Sequence, residues 1–318
     1  MRAQMKQILF KVEEICAIFV GSLLRLFPSV AQAFFVASTH VSWRMPDRMR
    51  ILATPFLMEL GRTSLDDKGP LFITRDFDGF TMELDIAEKT QRNLFFFKVY
   101  ESGITEFFRK NLTAGTLVID VGANVGYYTL LAAACGAHVI SCEPEKNNYR
   151  RLIQHVTMNH SNATCLQIAL GDKTETMLLH INPLNHGGNS LLLPKTYKTG
   201  AHHYTRAEIE MAYDKDTLEE EVYVQTLDSL VTKPVSLLKI DVEGFEANVF
   251  AGMTRVLGQG LVTHIICELG NSDTRKEIIE RLKKHGYRAY SIAPSGMPIS
   301  VETGRDLLFT KSLGSFQE

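Results

Sequence analysis

Two short stretches of this 318-residue chain place chemically capable side chains at close spacing. In the first, Asp120-Val121-Gly122-Ala123-Asn124-Val125-Gly126, an acid precedes a glycine turn, and a second acid, Glu143, ends the next apolar run. Glycine at 122 allows a tight turn with the backbone close to a ligand, and Gly126 lets the following helix approach. A dinucleotide fingerprint needs glycine at 124 and 127, where the chain has Asn124 and Tyr127, and no Gly-Lys-Ser/Thr follows for a phosphate loop. An acid ahead of the turn suits a cationic ligand better than a pyrophosphate. S-adenosylmethionine fits the pattern: its amine and sulfonium are positive, and its ribose hydroxyls can donate to a carboxylate. On this basis Asp120 and the loop Gly122, Ala123, Asn124 and Gly126 face the methionine end. Glu143 takes the ribose hydroxyls, and the segment around Asp172 takes the adenine amino group. The plainer alternative for Asp120 and Glu143 is a helix N-terminal charge satisfying orphan amides.

The second stretch is Lys239-Ile240-Asp241-Val242-Glu243-Gly244-Phe245-Glu246. A strand ending at Asp241 sets that carboxylate beside the cofactor's methyl group, so Asp241 belongs with the cofactor residues as well as the catalytic ones. A hydroxyl is a weak nucleophile, and its methylation gains from a base at hydrogen-bond distance. Asp241 is the first candidate base, Glu243 the second, and His186, beside the Gly187-Gly188-Asn189-Ser190 turn, the third. Glu246 reads as a first-turn helix charge, and Lys239 as a buried ion-pair partner for one of the acids. Asp241, Glu268 and Asn271 offer a weaker metal alternative; no metal is expected.

These groups need a scaffold that brings strand ends together. Apolar strands are expected at Thr116–Val121, His138–Glu143, Thr164–Leu170, Val235–Asp241 and Thr263–Glu268. Helices are expected at Val125–Ala134, from Pro144 to about Asn159, at Phe245–Leu257 and at Thr274–His285, with terminal strands at Tyr287–Ile292 and Leu307–Thr310. Strands alternating with helices make an α/β doubly wound, mostly parallel sheet, Rossmann-like, whose ligands lie outside the carboxyl ends of the strands. Asp120, Glu143, Asp172, Asp241 and Glu268 all fall at such ends. Before this domain, Leu71–Thr74 and Phe80–Ile86 suggest a β-hairpin layer, followed by the amphipathic run Leu94–Phe108. Gly171–Pro234 interrupts the alternation with a hairpin strand at Met177–Ile181 and a polar stretch, Lys195–Glu221, that can form an active-site flap or a solvated surface loop.

The chain resembles the FkbM family of S-adenosylmethionine-dependent methyltransferases, of the class I Rossmann-like fold. The resemblance covers roughly Phe80–Thr310. It rests on Tyr100-Glu101, Val118–Thr129 (VIDVGANVGYYT), Glu143-Pro144, Ala169-Leu170-Gly171-Asp172, Thr226-Leu227-Asp228 and Leu238–Glu246 (LKIDVEGFE). It implies a hydroxyl of a small molecule or glycan as acceptor. The alternative function is a non-catalytic, cofactor-binding scaffold at a membrane surface.

Composition sets the outer bounds. With 45% hydrophobic and 22% charged residues and a net charge of −2, the chain is an ordinary globular protein without the basic excess of a nucleic-acid binder. Its 5 cysteines, in no metal-ligand spacing, read as reduced core thiols, with a reactive Cys142 as the alternative. Residues 8–27 form an amphipathic helix with a broad apolar face that packs on the protein body or a partner, lies on a membrane surface, or is a span or secretory signal; Arg25 and Pro28 oppose spanning, and Glu13, Glu14 and Arg25 oppose a signal. The expected organisation is an apolar helical segment over 1–40, a lead-in over 41–110, and a methyltransferase domain over 111–318 with an insertion at 183–221. The expected location is cytoplasmic, with peripheral membrane contact through 8–27 and homo-oligomerisation both left open.

Overall fold

The structure is a computed structural model that describes residues 70–86, 88–183, 187–193, 196–199, 202–213, 218–270, 272–300 and 304–311. The helix expected over 8–27, His186 and Asn271 lie outside the described residues. The described chain divides into two compact units, one made of residues up to Phe77 with Thr81–Tyr100, the other of Asp78–Phe80 with Glu101 onward.

In the first unit, β1 (Phe72–Asp76) and β2 (Thr81–Asp85) pair antiparallel with Phe72 opposite Asp85, as the turn signals predict. Met82 and Leu84 alternate with half-exposed neighbours on β2, the period-2 signature of a strand with one covered face. Helix α1 (Lys89–Phe97) starts where Glu88 accepts hydrogen bonds from the Thr90 and Gln91 amides. It stops at Lys98, which takes a left-handed φ of 55°. The expected continuous run Leu94–Phe108 is therefore two helices, with Glu101 (φ 43°) opening the second.

The second unit follows as α2 (Ser102–Asn111), β3 (Leu117–Val121), α3 (Tyr127–Ala134), β4 (His138–Cys142), α4 (Lys146–Met158) and β5 (Ala163–Leu166). It continues with β6 (Ala169–Leu170), β7 (Glu175–His180), β8 (Thr196–Thr199), β9 (His202–Thr205), α5 (Arg206–Ala212), β10 (Glu219–Gln225) and α6 (Leu227–Leu230). Its last part is β11 (Val235–Ile240), α7 (Glu246–Ala251), α8 (Thr254–Gly258), β12 (Val262–Glu268), α9 (Ser272–Lys284), β13 (Arg288–Ile292), β14 (Pro298–Ile299) and β15 (Asp306–Thr310). The main sheet has the order β14-β13-β15-β12-β11-β3-β4-β5. From β12 to β5 every pairing is parallel, whereas β15 runs antiparallel between β12 and β13. This is the Rossmann-like, doubly wound arrangement expected from the strand–helix rhythm. The order reverses between β11 and β3, and the ligand crevice of such sheets opens at that switch point.

Continuous apolar runs make the central strands. Val235, Leu237, Leu238 and Ile240 on β11 are almost wholly enclosed, each contributing about 1.5–3 kcal/mol by leaving water. Cys142 and Cys267 lie in the same core as free thiols, and burial pushes the Cys142 thiol far up, which removes the reactive-thiolate alternative. Two expected elements are split. The third strand ends at Leu166, after which Ile168 turns into the core and Gly171 N donates to Gln225 O (2.8 Å), so β6 joins β10 and β7 in a separate sheet. The helix expected over Phe245–Leu257 breaks at Gly252-Met253, where a Cβ on Gly252 would lie 1.9 Å from Gly171 O. No described helix is long and apolar enough to cross a membrane.

Candidate active site

The β3–α3 loop carries the first group of expected residues. Asp120, 1% exposed, accepts a hydrogen bond at Oδ2 from Thr129 Oγ1 (2.7 Å), while its buried Oδ1 has no hydrogen-bond partner among the described residues. Burial raises its proton affinity, and the Lys239 ammonium and Thr129 oppose that. Gly122 (φ 78°) is required for a reason absent from the sequence pattern: a Cβ there would sit 1.8 Å from the Asp241 carbonyl oxygen, so the contact that excludes a side chain is with the β11 terminus. The Gly122 and Ala123 amides both donate to Cys142 O (2.9 and 3.0 Å). Asn124 takes a left-handed φ of 50°, which turns its amide onto Glu143 Oε2 (2.8 Å). Gly126 admits Leu152 of α4, whose Cδ1 would be 2.6 Å from an added Cβ.

Glu143, just past β4, is 5% exposed and accepts from the Glu145 amide at its other oxygen (3.0 Å). Burial pushes its carboxyl up to about 8, against the pull of those amides. Asp120, Glu143, Asp241 and Glu268 thus share the carboxyl edge of the main sheet. Asp172 does not: it follows β6 in the separate sheet, exposed, accepting from Asn248 Nδ2 (3.3 Å). The expected row of five strand-end acids is corrected to four, because the chain leaves the main sheet after Leu166.

On the β11 side, Asp241 Oδ2 meets Lys239 Nζ at 2.9 Å. Lys239 is 4% exposed and lies 4.7 Å from the centre of the Tyr128 ring. Burial alone would lower its proton affinity, but the Asp241, Asp120 and Glu101 carboxylates win and hold it well above the usual lysine range. The buried ion pair read for Lys239 is present. Glu246 Oε1 accepts from Gly244 N (2.9 Å) at the start of α7, the helix-end role expected of it. Glu243 takes a left-handed φ of 49°, and its carbonyl accepts from Ser190 Oγ (2.8 Å). It keeps a solvent-exposed surface, and loss of hydration at its carboxyl, with the Asp241 and Glu268 charges, pushes it up to about 7.

Two acids beyond the expected set complete this edge. Because β15 is antiparallel, its first residue, Asp306, lands opposite Glu268, the last of β12. Glu101, opening α2, accepts from Tyr128 Oη (2.6 Å). Glu101, Glu268 and Asp306 each bring one oxygen within 4.8 Å of the others, and Arg305 pairs with Glu268. Desolvation and mutual repulsion push Glu101 and Glu268 up to about 7 and Asp306 up to about 6. Of the oxygen set weighed for a metal, Asp241 and Glu268 share this edge. The only forewarning of Glu101 was its place in the Tyr100-Glu101 pair.

Comparison with known proteins adds to this geometry. A family model described as the methyltransferase FkbM domain matches residues 120–289. No curated protein matches the sequence. Among solved structures, the chain is similar to methyltransferase FkbM from Methylobacillus flagellatus KT, at 14% identity and a TM-score of 0.39, covering 62% of this chain and 43% of that one. The chain therefore spans less than half of that protein's length. It is also similar to the Pyrococcus abyssi tRNA (uracil-54, C5)-methyltransferase in complex with S-adenosyl-L-homocysteine (12% identity, TM-score 0.40, covering 76% and 44%). A third likeness is to precorrin-6y C5,15-methyltransferase from Geobacter metallireducens GS-15 (11%, TM-score 0.34, covering 65% and 84%).

Proposed function

The chain belongs to the FkbM methyltransferase family, whose members use S-adenosylmethionine, and from that premise we propose that it methylates a hydroxyl of a small molecule or glycan. The observation that carries the proposal is the junction of the β3 loop with the β11 terminus at Gly122 and Asp241. It sets the candidate cofactor residues next to a carboxylate-lined edge.

The residues fit the cofactor. Among the described residues Asp120 Oδ1 is an unsatisfied buried acceptor beside the loop, and the Glu143 carboxylate, which accepts from the Asn124 and Glu145 amides and from the Asn148 side chain, keeps a lone pair for a further donor. Asp120 with Gly122, Ala123, Asn124 and Gly126 would hold the methionine end, Glu143 the ribose diol, and the Asp172 segment the adenine side. When bound, the cofactor supplies a methyl group on a positively charged sulfur. Asp241 and Glu243 would face the approaching acceptor hydroxyl. A carboxylate-rich edge suits a hydroxyl that must lose a proton, and it repels a phosphate backbone. The 195–221 stretch would close over the acceptor, and the turn that precedes it meets the site through the Ser190–Glu243 hydrogen bond.

Calorimetric titration with S-adenosylmethionine and S-adenosylhomocysteine tests the cofactor assignment. Micromolar binding, about −8 kcal/mol, is expected in the wild type and lost in Asp120→Ala and Glu143→Ala. Radiolabelled methyl transfer to a panel of sugars and small alcohols tests the acceptor class. Methylation of RNA but of none of these would refute it.

A further inference from the structure

Resting on the methyl-transfer reading above, we propose that Glu101 is the group that receives the acceptor's proton, and that it gives up its own proton when the cationic cofactor binds. The expected first base, Asp241, is already committed: its Oδ2 is in contact with the ammonium of Lys239, a residue 4% exposed. Among the described residues, Glu101 has no such cation in contact. Its carboxylate accepts from Tyr128 Oη at 2.6 Å, and the ring of that same tyrosine carries Lys239 on its face. The hydrogen bond from Tyr128 orients the carboxylate and stabilises its charged form. Glu101 also sits at φ 43°, a left-handed conformation unfavourable for a non-glycine residue, so the surrounding contacts hold it there against strain.

Around Glu101 the charged groups Lys239 and Asp241 at β11, Glu268 on β12, and Asp306 with Arg305 at β15 are joined by the neutral Tyr128 hydroxyl on α3, while Asp120 on β3 acts on Lys239, and Glu243, past β11, on Asp241 and Glu268. Six carboxylates (Glu101, Asp120, Asp241, Glu243, Glu268, Asp306) share two cations (Lys239, Arg305), an excess of 6 − 2 = 4 negative charges when all are ionised. Such a cluster retains a proton near neutrality, and Glu101, pushed up to about 7 mainly by burial, is placed to hold it. A positive charge arriving at the neighbouring β3 loop favours the ionised form, and the proton passes to bulk buffer. In the transfer that follows, the acceptor oxygen forms its bond to the methyl carbon as the carbon–sulfur bond breaks and its electron pair stays on sulfur. The hydroxyl proton goes to the emptied Glu101 carboxylate.

The test is calorimetric titration of the full chain at pH 7 in buffers of different ionisation enthalpy, which counts protons exchanged on binding. A carboxyl titrating near 7 should release about half a proton per S-adenosylmethionine bound and much less for neutral-sulfur S-adenosylhomocysteine. In Glu101→Gln the difference between the two ligands should vanish while binding persists. An undiminished difference in Glu101→Gln, or equal release for both ligands in the wild type, overturns the proposal. Failure of both ligands to bind the folded wild type overturns the cofactor reading beneath it. Should Glu101→Gln not fold, Tyr128→Phe gives the second readout: losing the donor that favours the charged carboxylate should shift the release profile to higher pH, and an unmoved profile overturns the assignment.

Discussion

Gly122 and Asp241 share one junction: a Cβ on Gly122 would fall 1.8 Å from the Asp241 carbonyl oxygen. The two backbones meet there with no room for a side chain on Gly122. Gly122→Ala adds this clash to the cost of an alanine at φ 78° and should destabilise the fold by at least about 3 kcal/mol. Denaturant unfolding measures it. A loss below 1 kcal/mol, as an order of magnitude, would mean that the two strand ends are free to separate.

Lys239→Met leaves Asp241 and the buried Asp120 without their ammonium and should cost about 3–5 kcal/mol. Adding Asp241→Asn should recover part of this, since one unpaired charge is then gone. The same effect of Asp241→Asn with Lys239 present and with it replaced would show that the pair is not coupled.

The edge carboxylates should make stability fall with rising pH. Glu101 and Glu268, near 7 in the folded chain against 4.5 as the reference, bind more protons folded than unfolded within that window. Their favourable contribution is complete below about 4.5 and disappears as pH climbs through about 7. Glu268→Gln should therefore leave the urea midpoint at pH 5 unchanged and raise it at pH 8, where the exposed Arg305 is a minor loss. A midpoint lowered at pH 8 would refute the sign.

Ser190→Ala removes the donor to Glu243 O and should release the described piece of the insertion, 187–193, for about 1 kcal/mol. Hydrogen exchange should speed up in 188–193 and not in β11. Uniform acceleration across both would instead indicate global destabilisation.

The parallel half of the sheet was legible because buried strands read as continuous apolar runs, and Lys239 was legible because a lone cation inside such a run needs a partner. The two split elements were not. Gly252 and Gly171 are 81 residues apart (252 − 171), and nothing in helical periodicity reports that their backbones touch. Glu101 and Asp306 escaped for the same reason. Their partners, Tyr128, Lys239 and Glu268, come from other elements, and an antiparallel β15 brings a strand's beginning, not its end, to the acidic edge.

The placement of β15 also bears on how the molecule is made. It is the last described strand in sequence, yet it lies inside the main sheet, bonded to β12 on one side and β13 on the other. Without residues 306–310 between them, β12 and β13 would each be left with one open ladder. Closure of the sheet and delivery of Asp306 to the acidic edge are then a single late event, so a chain truncated before Asp306 should be an aggregation-prone intermediate rather than a smaller enzyme.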